Sequence, residues 1–154
     1  MIKLWVYVFL GVFLSYSVYA EEAVLNDLLK IEVYRSRTCG CCGKWIEHLK
    51  ANQFEVIEHV VDDMDEIKQK YAVPGQMASC HTAIADSYII EGHVPSDDIK
   101  KLLKNKPPVR GISVPGMPVG TPGMEMGSRK DAFQVISFDK DGQYRVFSHY
   151  EGHP

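Results

Sequence analysis

The spacing of apolar residues in the middle of the chain predicts alternating strands and helices. Residues 30 to 36 alternate apolar and polar positions, which is the period of a β-strand, and the stretch FEVIEHVV at residues 54 to 61 predicts a second strand. Between them, Trp45 and Leu49 recur at helical spacing from Lys44 onward. The pattern therefore predicts a strand, a helix and a second strand in that order.

A second helix, a hairpin and a third helix are predicted next. Asp62 or Asp63 is suited to cap the second helix, because a carboxylate accepts hydrogen bonds from the unpaired N–H groups of a first turn. Short strands are predicted at residues 81 to 85 and 88 to 91, and Ser96 is expected to cap the third helix. This order is the plan of a thioredoxin-like fold, in which a βαβ unit is followed by a hairpin and a covering helix.

The last third of the chain predicts a loop and a second hairpin. Residues 106 to 126 contain five prolines and no regular period, and the tripeptide Pro-Gly-Met at residues 115 to 117 recurs at residues 122 to 124. This composition predicts a rigid loop rich in proline and methionine. Alternating stretches on both sides of Asp141 and Gly142 predict a β-hairpin at the sheet edge. The expected fold class is α/β: a thioredoxin-like mixed sheet with flanking helices, this loop and the hairpin.

The N-terminus has the pattern of a secretory signal peptide. Lys3 precedes an apolar stretch that begins at Leu4, and the small residues Val18 and Ala20 stand before the polar Glu21. We expect residues 1 to 20 to be removed by cleavage after Ala20. The alternative is an uncleaved membrane anchor, because the apolar stretch is nearly long enough to span a bilayer.

The remaining chain, residues 21 to 154, is expected to form a single domain. Without Lys3, the 17 basic residues of the chain become 16 against 20 acidic ones, a balance of −4. This charge does not indicate a nucleic-acid partner or binding to an anionic membrane. No second apolar segment is long enough to cross a bilayer, so we expect no stable membrane insertion after cleavage and a location outside the cytoplasm.

The four cysteines are the strongest chemical signal in the sequence. Cys39, Cys41 and Cys42 fall within four residues, and Cys80 is the fourth. An even number of cysteines in an exported protein first suggests structural disulfides. A crowded triplet is poorly suited to connect distant segments, because neighbouring cysteines close only small, strained rings. The spacing therefore favours metal binding or redox chemistry.

The predicted fold brings these cysteines to one place. Cys42 lies near the N-terminus of the first helix, where the helix dipole favours a thiolate, and Arg35, Arg37 and Lys44 act in the same direction. Cys80 precedes the third strand, in a loop that packs against the cysteine turn of a thioredoxin-like sheet. We therefore expect Cys80 to complete a group of four sulfurs.

Copper(I) is the metal that this sulfur group favours. Cys39 and Cys42 have the C-x-x-C spacing of thiol oxidoreductases, but Cys41 adds a sulfur that such enzymes lack. Zinc is the less favoured metal, because zinc sites usually take their cysteines from two paired knuckles. Crowded thiolates that bridge between ions suit copper(I) better. A metal-free redox site is a further alternative.

Methionines and two histidines extend the candidate ligand set. Met117, Met124 and Met126 lie in the proline-rich loop, and thioethers bind copper(I) but are poor ligands for zinc. These methionines are equally compatible with packing under the loop. His81 follows Cys80 directly and His93 follows a predicted strand, so either is placed to act as a ligand, including for copper(II).

The other histidines have weaker signals. His48 and His59 occupy polar positions of a predicted helix and strand, where we expect ordinary surface residues. His149 and His153 belong to a terminal segment that offers a second, looser metal site.

Four motifs together resemble a known family. They are CGCCGKW at residues 39 to 45, SCHTA at 79 to 83, EGHVP at 91 to 95 and VPGMPVGTPGMEMG at 114 to 127. With these motifs the chain is similar to the CopG-like family of exported copper-resistance proteins, from Ile31 to Tyr150. The resemblance implies a thioredoxin-like fold, copper bound by the cysteine motif, and a periplasmic location beside other copper-handling proteins.

Three functions are consistent with these features. The leading one is a periplasmic copper-binding protein for copper resistance, which holds Cu(I) in a cysteine cluster or interconverts Cu(I) and Cu(II). The second is a thiol-disulfide oxidoreductase that uses the Cys39 and Cys42 pair. The third is a binding module for a partner copper protein, which would use the same loop surface.

Overall fold

A computed structural model describes residues 29–154, which form one mixed sheet and three α-helices. The strands are β1 (Lys30–Ser36), β2 (Glu55–Val61), β3 (His81–Ala85), β4 (Tyr88–Glu91), β5 (Gly111–Ser113), β6 (Phe133–Phe138) and β7 (Tyr144–Tyr150). The α-helices are α1 (Gly40–Ala51), α2 (Met64–Lys70) and α3 (Ser96–Asn105). The predicted signal peptide lies outside the described residues. Within residues 29–154, no helix has both the length and the apolar character that crossing a membrane requires.

The sheet topology confirms the predicted fold class. The strand order is β2-β1-β3-β4-β5-β6-β7. Strands β1 and β2 are parallel, β3 is antiparallel to β1, and β3 and β4 form a hairpin, as the thioredoxin-like plan requires. Strands β6 and β7 pair antiparallel at the edge of the sheet, where the sequence predicts a hairpin.

The helices bury their apolar faces against this sheet. Trp45 and Leu49 of α1 and Ile99 and Leu102 of α3 are fully buried in one core cluster. Each side chain of this size contributes about 1.5–3 kcal/mol by burial. The indole N–H of Trp45 donates to the carbonyl of Val94 at 2.9 Å, which ties α1 to the segment after β4.

Two predicted element boundaries were wrong. Helix α1 begins at Gly40 and therefore includes Cys41 and Cys42 in its first turn, four residues earlier than the apolar pattern indicates. Strand β5 lies inside the segment that the sequence assigns to a loop. It is only three residues long, and its Gly111 has no side chain to contribute to a period, so the alternation that identifies strands is absent.

The predicted roles of Ser96 and His48 also require correction. Asp63 caps α2 as expected, because its Oδ1 accepts from the amides of Asp65 and Glu66. Pro95, however, is the N-cap of α3, and no side chain of α3 itself caps the helix. Instead the Ser96 amide donates to Nε2 of His48 at 3.2 Å. His48 is thus half-buried and connects α1 to α3, so it is not an ordinary surface residue.

Candidate metal centre

The cysteine turn joins β1 to α1. Cys39 is the N-cap of α1, and its amide donates to the carbonyl of Ser36 at 3.2 Å. Cys39 and Cys42 form a disulfide, while Cys41 and Cys80 are free thiols. The Cys41 sulfur lies 3.5 Å from that of Cys39. Three sulfurs therefore lie at the N-terminus of one helix, where the unpaired amides and the dipole favour negative charge.

Cys80 approaches the cysteine turn from the loop before β3. The sulfurs of Cys39, Cys41, Cys42 and Cys80 all lie within 4.8 Å of one another. Two metal–sulfur bonds of about 2.3 Å span up to about 4.6 Å, so small closing movements of these side chains bring them to bonding distance of a shared ion. Cys39 and Cys42 become donors only after their disulfide is reduced, because the thiolate is the metal ligand.

Cys80 also belongs to a second group, with His81 and His93. Its sulfur lies 3.3 Å from Nδ1 of His81 and 3.0 Å from Nε2 of His93. Nδ1 of His93 donates to the carbonyl of Pro122 at 2.7 Å. This bond fixes the hydrogen on Nδ1 and leaves the Nε2 lone pair directed at Cys80, the arrangement in which an imidazole binds a metal.

His81 is fully buried, as are the candidate ligands Cys42 and His93. Its Nε2 is the one buried side-chain nitrogen or oxygen in residues 29–154 without a hydrogen-bond partner. The ring of Trp45 lies 4.2 Å from the His81 ring, centroid to centroid. An unpaired buried nitrogen costs about 1–3 kcal/mol, so an additional partner at this position stabilises the site.

Burial sets the protonation of this group. It lowers the pKa of His93 and lowers that of His81 well below its ordinary value, so both imidazoles are neutral and able to act as ligands. Burial, together with nearby Cys41, raises the pKa of Cys80 to about 12. Cys80 is therefore a thiol in the metal-free protein, and a metal that binds it must displace a proton.

A buried ion pair that sequence reasoning missed holds the loop before Cys80. Glu91 is fully buried and accepts hydrogen bonds from Lys68 Nζ at 2.5 Å, the Ser79 amide at 2.7 Å and the Thr82 hydroxyl at 2.7 Å. Burial raises the pKa of Glu91, and Lys68 opposes that rise. The signal in the sequence was a carboxylate at the end of the otherwise apolar strand β4. Such a residue must be paired if it is buried.

The proline-rich loop lies against both halves of the site. The Ser79 hydroxyl donates to the carbonyl of Gly116 at 2.6 Å, next to Cys80. At Gly123, whose φ is +84°, a Cβ would lie 2.7 Å from the Trp45 amide nitrogen and 2.8 Å from the Cys41 carbonyl oxygen. Only glycine fits so close to α1 with that backbone conformation.

The loop methionines differ in exposure. Met117 is 55% exposed and Met126 is 66% exposed, whereas Met124 is half-buried. Met117 and Met126 are therefore largely exposed and are not packed under the loop.

The terminal histidines lie apart from the cysteine site. Nε2 of His149 pairs with Glu151 at 2.9 Å, and the His153 backbone pairs with that of Lys130. Among the described residues, neither histidine joins a cluster of His, Cys, Asp or Glu close enough to share an ion.

Comparisons with known proteins place this site in context. A family model described as "Protein of unknown function, DUF411" matches residues 77–124, which include Cys80, both buried histidines and most of the loop. No curated protein matches the chain. Two solved structures do match it, and both are structures of copper resistance protein CopG.

The two CopG structures match this chain with nearly equal sequence identity, coverage and TM-score. The form 1 structure is 50% identical, covers 80% of this chain and 98% of its own, and has a TM-score of 0.77. The form 2 structure is 49% identical, covers 79% of this chain and 98% of its own, and has a TM-score of 0.76.

Proposed function

The chain belongs to the family of copper resistance protein CopG, and we propose that it binds copper for resistance, holding Cu(I) in the group of four cysteines. The observation that carries this proposal is the convergence of the Cys39, Cys41, Cys42 and Cys80 sulfurs within 4.8 Å. Soft thiolates select Cu(I), and crowded thiolates can bridge neighbouring ions. In this proposal copper is the ion that the protein handles and not a resident cofactor. Metal analysis of the copper-loaded protein measures the number of ions bound.

Interconversion of Cu(I) and Cu(II) is the finer part of the proposal. Cys80 is shared by the sulfur group and by the group that contains His81 and His93. Neutral imidazole is a good ligand for Cu(II), so the two groups offer ligands suited to the two oxidation states. Each Cu(I) that becomes Cu(II) gives one electron to a one-electron oxidant, and a reductant reverses the step.

Export to the periplasm belongs to the same proposal. The apolar stretch after Lys3 and the small residues Val18 and Ala20 support cleavage before Glu21. The intact mass of the exported protein tests this directly. A mass that still includes residues 1 to 20 would indicate an anchored protein instead.

Copper titration of the reduced, oxygen-free protein tests the main proposal. In competition with a Cu(I) chelator, we expect Cys41→Ser and Cys80→Ser to weaken copper binding, because each removes a thiolate. His59→Ala is the control, since His59 lies on β2 and pairs with Glu32 at 3.2 Å, outside both ligand groups. Equal affinities for the two cysteine variants and the wild type would exclude the four-cysteine site.

A spectroscopic measurement tests the redox part. Reduced, copper-loaded protein treated with mild oxidant should develop a Cu(II) paramagnetic signal with nitrogen hyperfine structure. The double variant His81→Ala and His93→Ala should lose the nitrogen structure and keep most Cu(I) affinity. Copper release with formation of the Cys39–Cys42 disulfide would argue against the cycle.

A thiol-disulfide oxidoreductase is the second candidate function, and the Cys39–Cys42 disulfide favours it. Cys42 is fully buried and Cys39 is half-buried, so an incoming thiolate reaches Cys39 more readily. With a dithiol as electron donor, metal-free protein should then catalyse reduction of a small disulfide substrate: the donor reduces the Cys39–Cys42 disulfide, and the resulting dithiol passes the two electrons to the substrate and closes again. Cys39→Ser should abolish this reaction, while Cys80→Ser should not. No turnover by the wild type would eliminate this candidate.

A further inference from the structure

A continuous line of polar contacts runs through the group that contains Cys80 and the two buried histidines. Nδ1 of His81 lies 3.3 Å from the Cys80 sulfur, and the same sulfur lies 3.0 Å from Nε2 of His93. At the far end, Nδ1 of His93 lies 2.7 Å from the carbonyl oxygen of Pro122. Each of these groups has a fixed capacity to donate or accept, so the hydrogens can be assigned from one end of the line to the other.

The assignment starts at Pro122. A carbonyl oxygen only accepts, so Nδ1 of His93 carries the hydrogen and Nε2 of His93 presents a lone pair to Cys80. At neutral pH a thiol carries one hydrogen, because the ordinary pKa of a cysteine is about 8.5. The Cys80 S–H therefore donates to His93, which is also the nearer of its two imidazole neighbours. Only sulfur lone pairs remain for the contact with His81.

His81 must then be the donor at the other end of the line. A lone pair on its Nδ1 would face the lone pairs of the Cys80 sulfur at 3.3 Å, whereas an N–H at the same place forms a hydrogen bond with them. The opposite nitrogen, Nε2, is buried without a partner among residues 29–154. Among buried backbone groups an unpaired N–H is rarer than an under-satisfied acceptor, and the same preference places the hydrogen of His81 on Nδ1.

The packing around His81 holds its ring in the orientation that this bond needs. The ring of Trp45 lies 4.2 Å away and the ring of His93 meets it edge-on at 5.0 Å, centroid to centroid. The amide of Gly92 donates to the His81 carbonyl at 3.0 Å, which fixes the backbone from which the ring projects. A donor that is already oriented loses little conformational entropy when it forms its hydrogen bond.

From these contacts we infer that His81 is a positioning residue whose Nδ1–H donates a hydrogen bond to the Cys80 sulfur, and that His93 is the imidazole of this pair that binds copper. The copper part of the inference rests on the proposed function and divides the roles of the two histidines within it. Copper that binds Cys80 displaces the thiol proton to water and leaves a thiolate. The bond from His81 then becomes stronger, because hydrogen bonds to a charged acceptor are about twice as strong as neutral ones.

This hydrogen bond favours one oxidation state of copper. It draws electron density from the Cys80 sulfur, so the sulfur donates less charge to Cu(II) and the Cu(I) state is favoured. Hydrogen bonding around a cysteine sulfur is one of the means by which proteins tune the potential of copper. Loss of the His81 donor should therefore lower the reduction potential of the bound copper.

The position of the hydrogen is measured in reduced protein without metal. Long-range proton–nitrogen correlation NMR spectra distinguish the protonated nitrogen of an imidazole from the bare one. We expect the hydrogen of His81 on Nδ1 in the wild type. This preference should weaken in Cys80→Ala, because the sulfur that excludes a lone pair at Nδ1 is gone. His93 is the internal control, since its bond to Pro122 does not involve the sulfur and should keep its hydrogen on Nδ1 in both proteins.

Two results of this measurement would overturn the inference. The first is a hydrogen on Nε2 of His81 in the wild type, because Nδ1 would then be the bare nitrogen of a metal ligand. The second is the same distribution of the hydrogen between the two nitrogens in the wild type and in Cys80→Ala. Neither result depends on copper, so the role of His81 is decided even if the wild type takes up no copper and the proposed function fails.

Copper-loaded variants test the division of roles. His81→Asn and His81→Leu are a matched pair, because the asparagine amide keeps an N–H at the place of Nδ1 and leucine has no donor. At a fixed applied potential, His81→Leu should raise the ratio of Cu(II) to Cu(I) by about fivefold, the effect of one hydrogen bond, and His81→Asn should recover most of this shift. Both variants should keep the Cu(II) hyperfine pattern of one nitrogen, which His93→Ala should remove. An unchanged ratio in His81→Leu, or loss of its nitrogen pattern, would overturn the inference.

Discussion

Replacement of Glu91 is the sharpest test of how this fold positions its candidate metal centre. Glu91 is fully buried, and its carboxylate accepts from Lys68, from the Ser79 amide and from the Thr82 hydroxyl. The Lys68 side chain is only 14% exposed. In Glu91→Leu, the Lys68 ammonium group loses its charged partner and keeps the Thr82 hydroxyl at 3.1 Å, and the Ser79 amide and the Thr82 hydroxyl lose their acceptor.

The expected cost follows from these contacts. Removal of one partner of a buried ion pair typically costs about 3–5 kcal/mol, because the remaining charge is uncompensated. Because Lys68 is slightly exposed and can reach water, we expect the free energy of unfolding to fall by the lower end of this range, about 3 kcal/mol. A domain of this kind has a total stability of about 5–15 kcal/mol, so the variant should fold with a clearly reduced margin. Glu91→Gln keeps an acceptor and should cost less.

Urea unfolding of metal-free protein at fixed disulfide state measures this cost. The double variant Lys68→Met and Glu91→Leu should recover part of the loss, because it removes the unpaired charge along with the carboxylate. Copper titration of Glu91→Leu supplies a second result: since Glu91 holds the Ser79 amide next to Cys80, weaker Cu(I) binding than in the wild type is expected, and Glu91→Gln, which keeps an acceptor, should bind more like the wild type. If Glu91→Leu lowers the free energy of unfolding by less than about 1 kcal/mol, the reasoning is refuted.

Two further predictions concern protonation. Burial lowers the pKa of His48, and its Nε2 must be unprotonated to accept the hydrogen bond from the Ser96 amide. The contribution of this hydrogen bond to the free energy of unfolding is therefore full above about pH 6.5, the pKa of histidine in the unfolded chain. It is lost as the pH falls through the lowered pKa of the folded state. Unfolding measured against pH should show a slope of this sign, to which buried His81 and His93 also contribute, and His48→Phe should reduce it. Burial raises the pKa of Cys80 to about 12, so iodoacetamide at pH 8 should modify Cys80 more slowly in folded metal-free protein than in urea, and equal rates would contradict this.

Local patterns were sufficient to predict most of the sheet. The predicted bounds of β1, β3 and β4 agree with the structure, because alternation with a period of two and the turn between β3 and β4 are properties of neighbouring residues. The approach of Cys80 to the cysteine turn followed from the topology that these elements define.

Interactions between distant residues could not be predicted in this way. His48 and Ser96 are 48 residues apart, and Lys68 and Glu91 are 23 residues apart. A helix cap supplied by another helix leaves no local signature, so Ser96 was mistaken for the cap. The start of α1 was placed too late because Gly-Cys-Cys-Gly has weak helix propensity, and tertiary packing determines its structure.

In the proposed function, the disulfide at the start of α1 makes copper and oxidants competitors for the same sulfur atoms. Closing Cys39 to Cys42 removes two of the four sulfurs from the ligand group, while copper held by all four needs them reduced. By thermodynamic linkage, every factor by which the disulfide weakens copper binding is also the factor by which bound copper disfavours the disulfide. On this proposal, the copper capacity of the protein depends on how strongly its surroundings oxidise thiols, as well as on how much copper they contain.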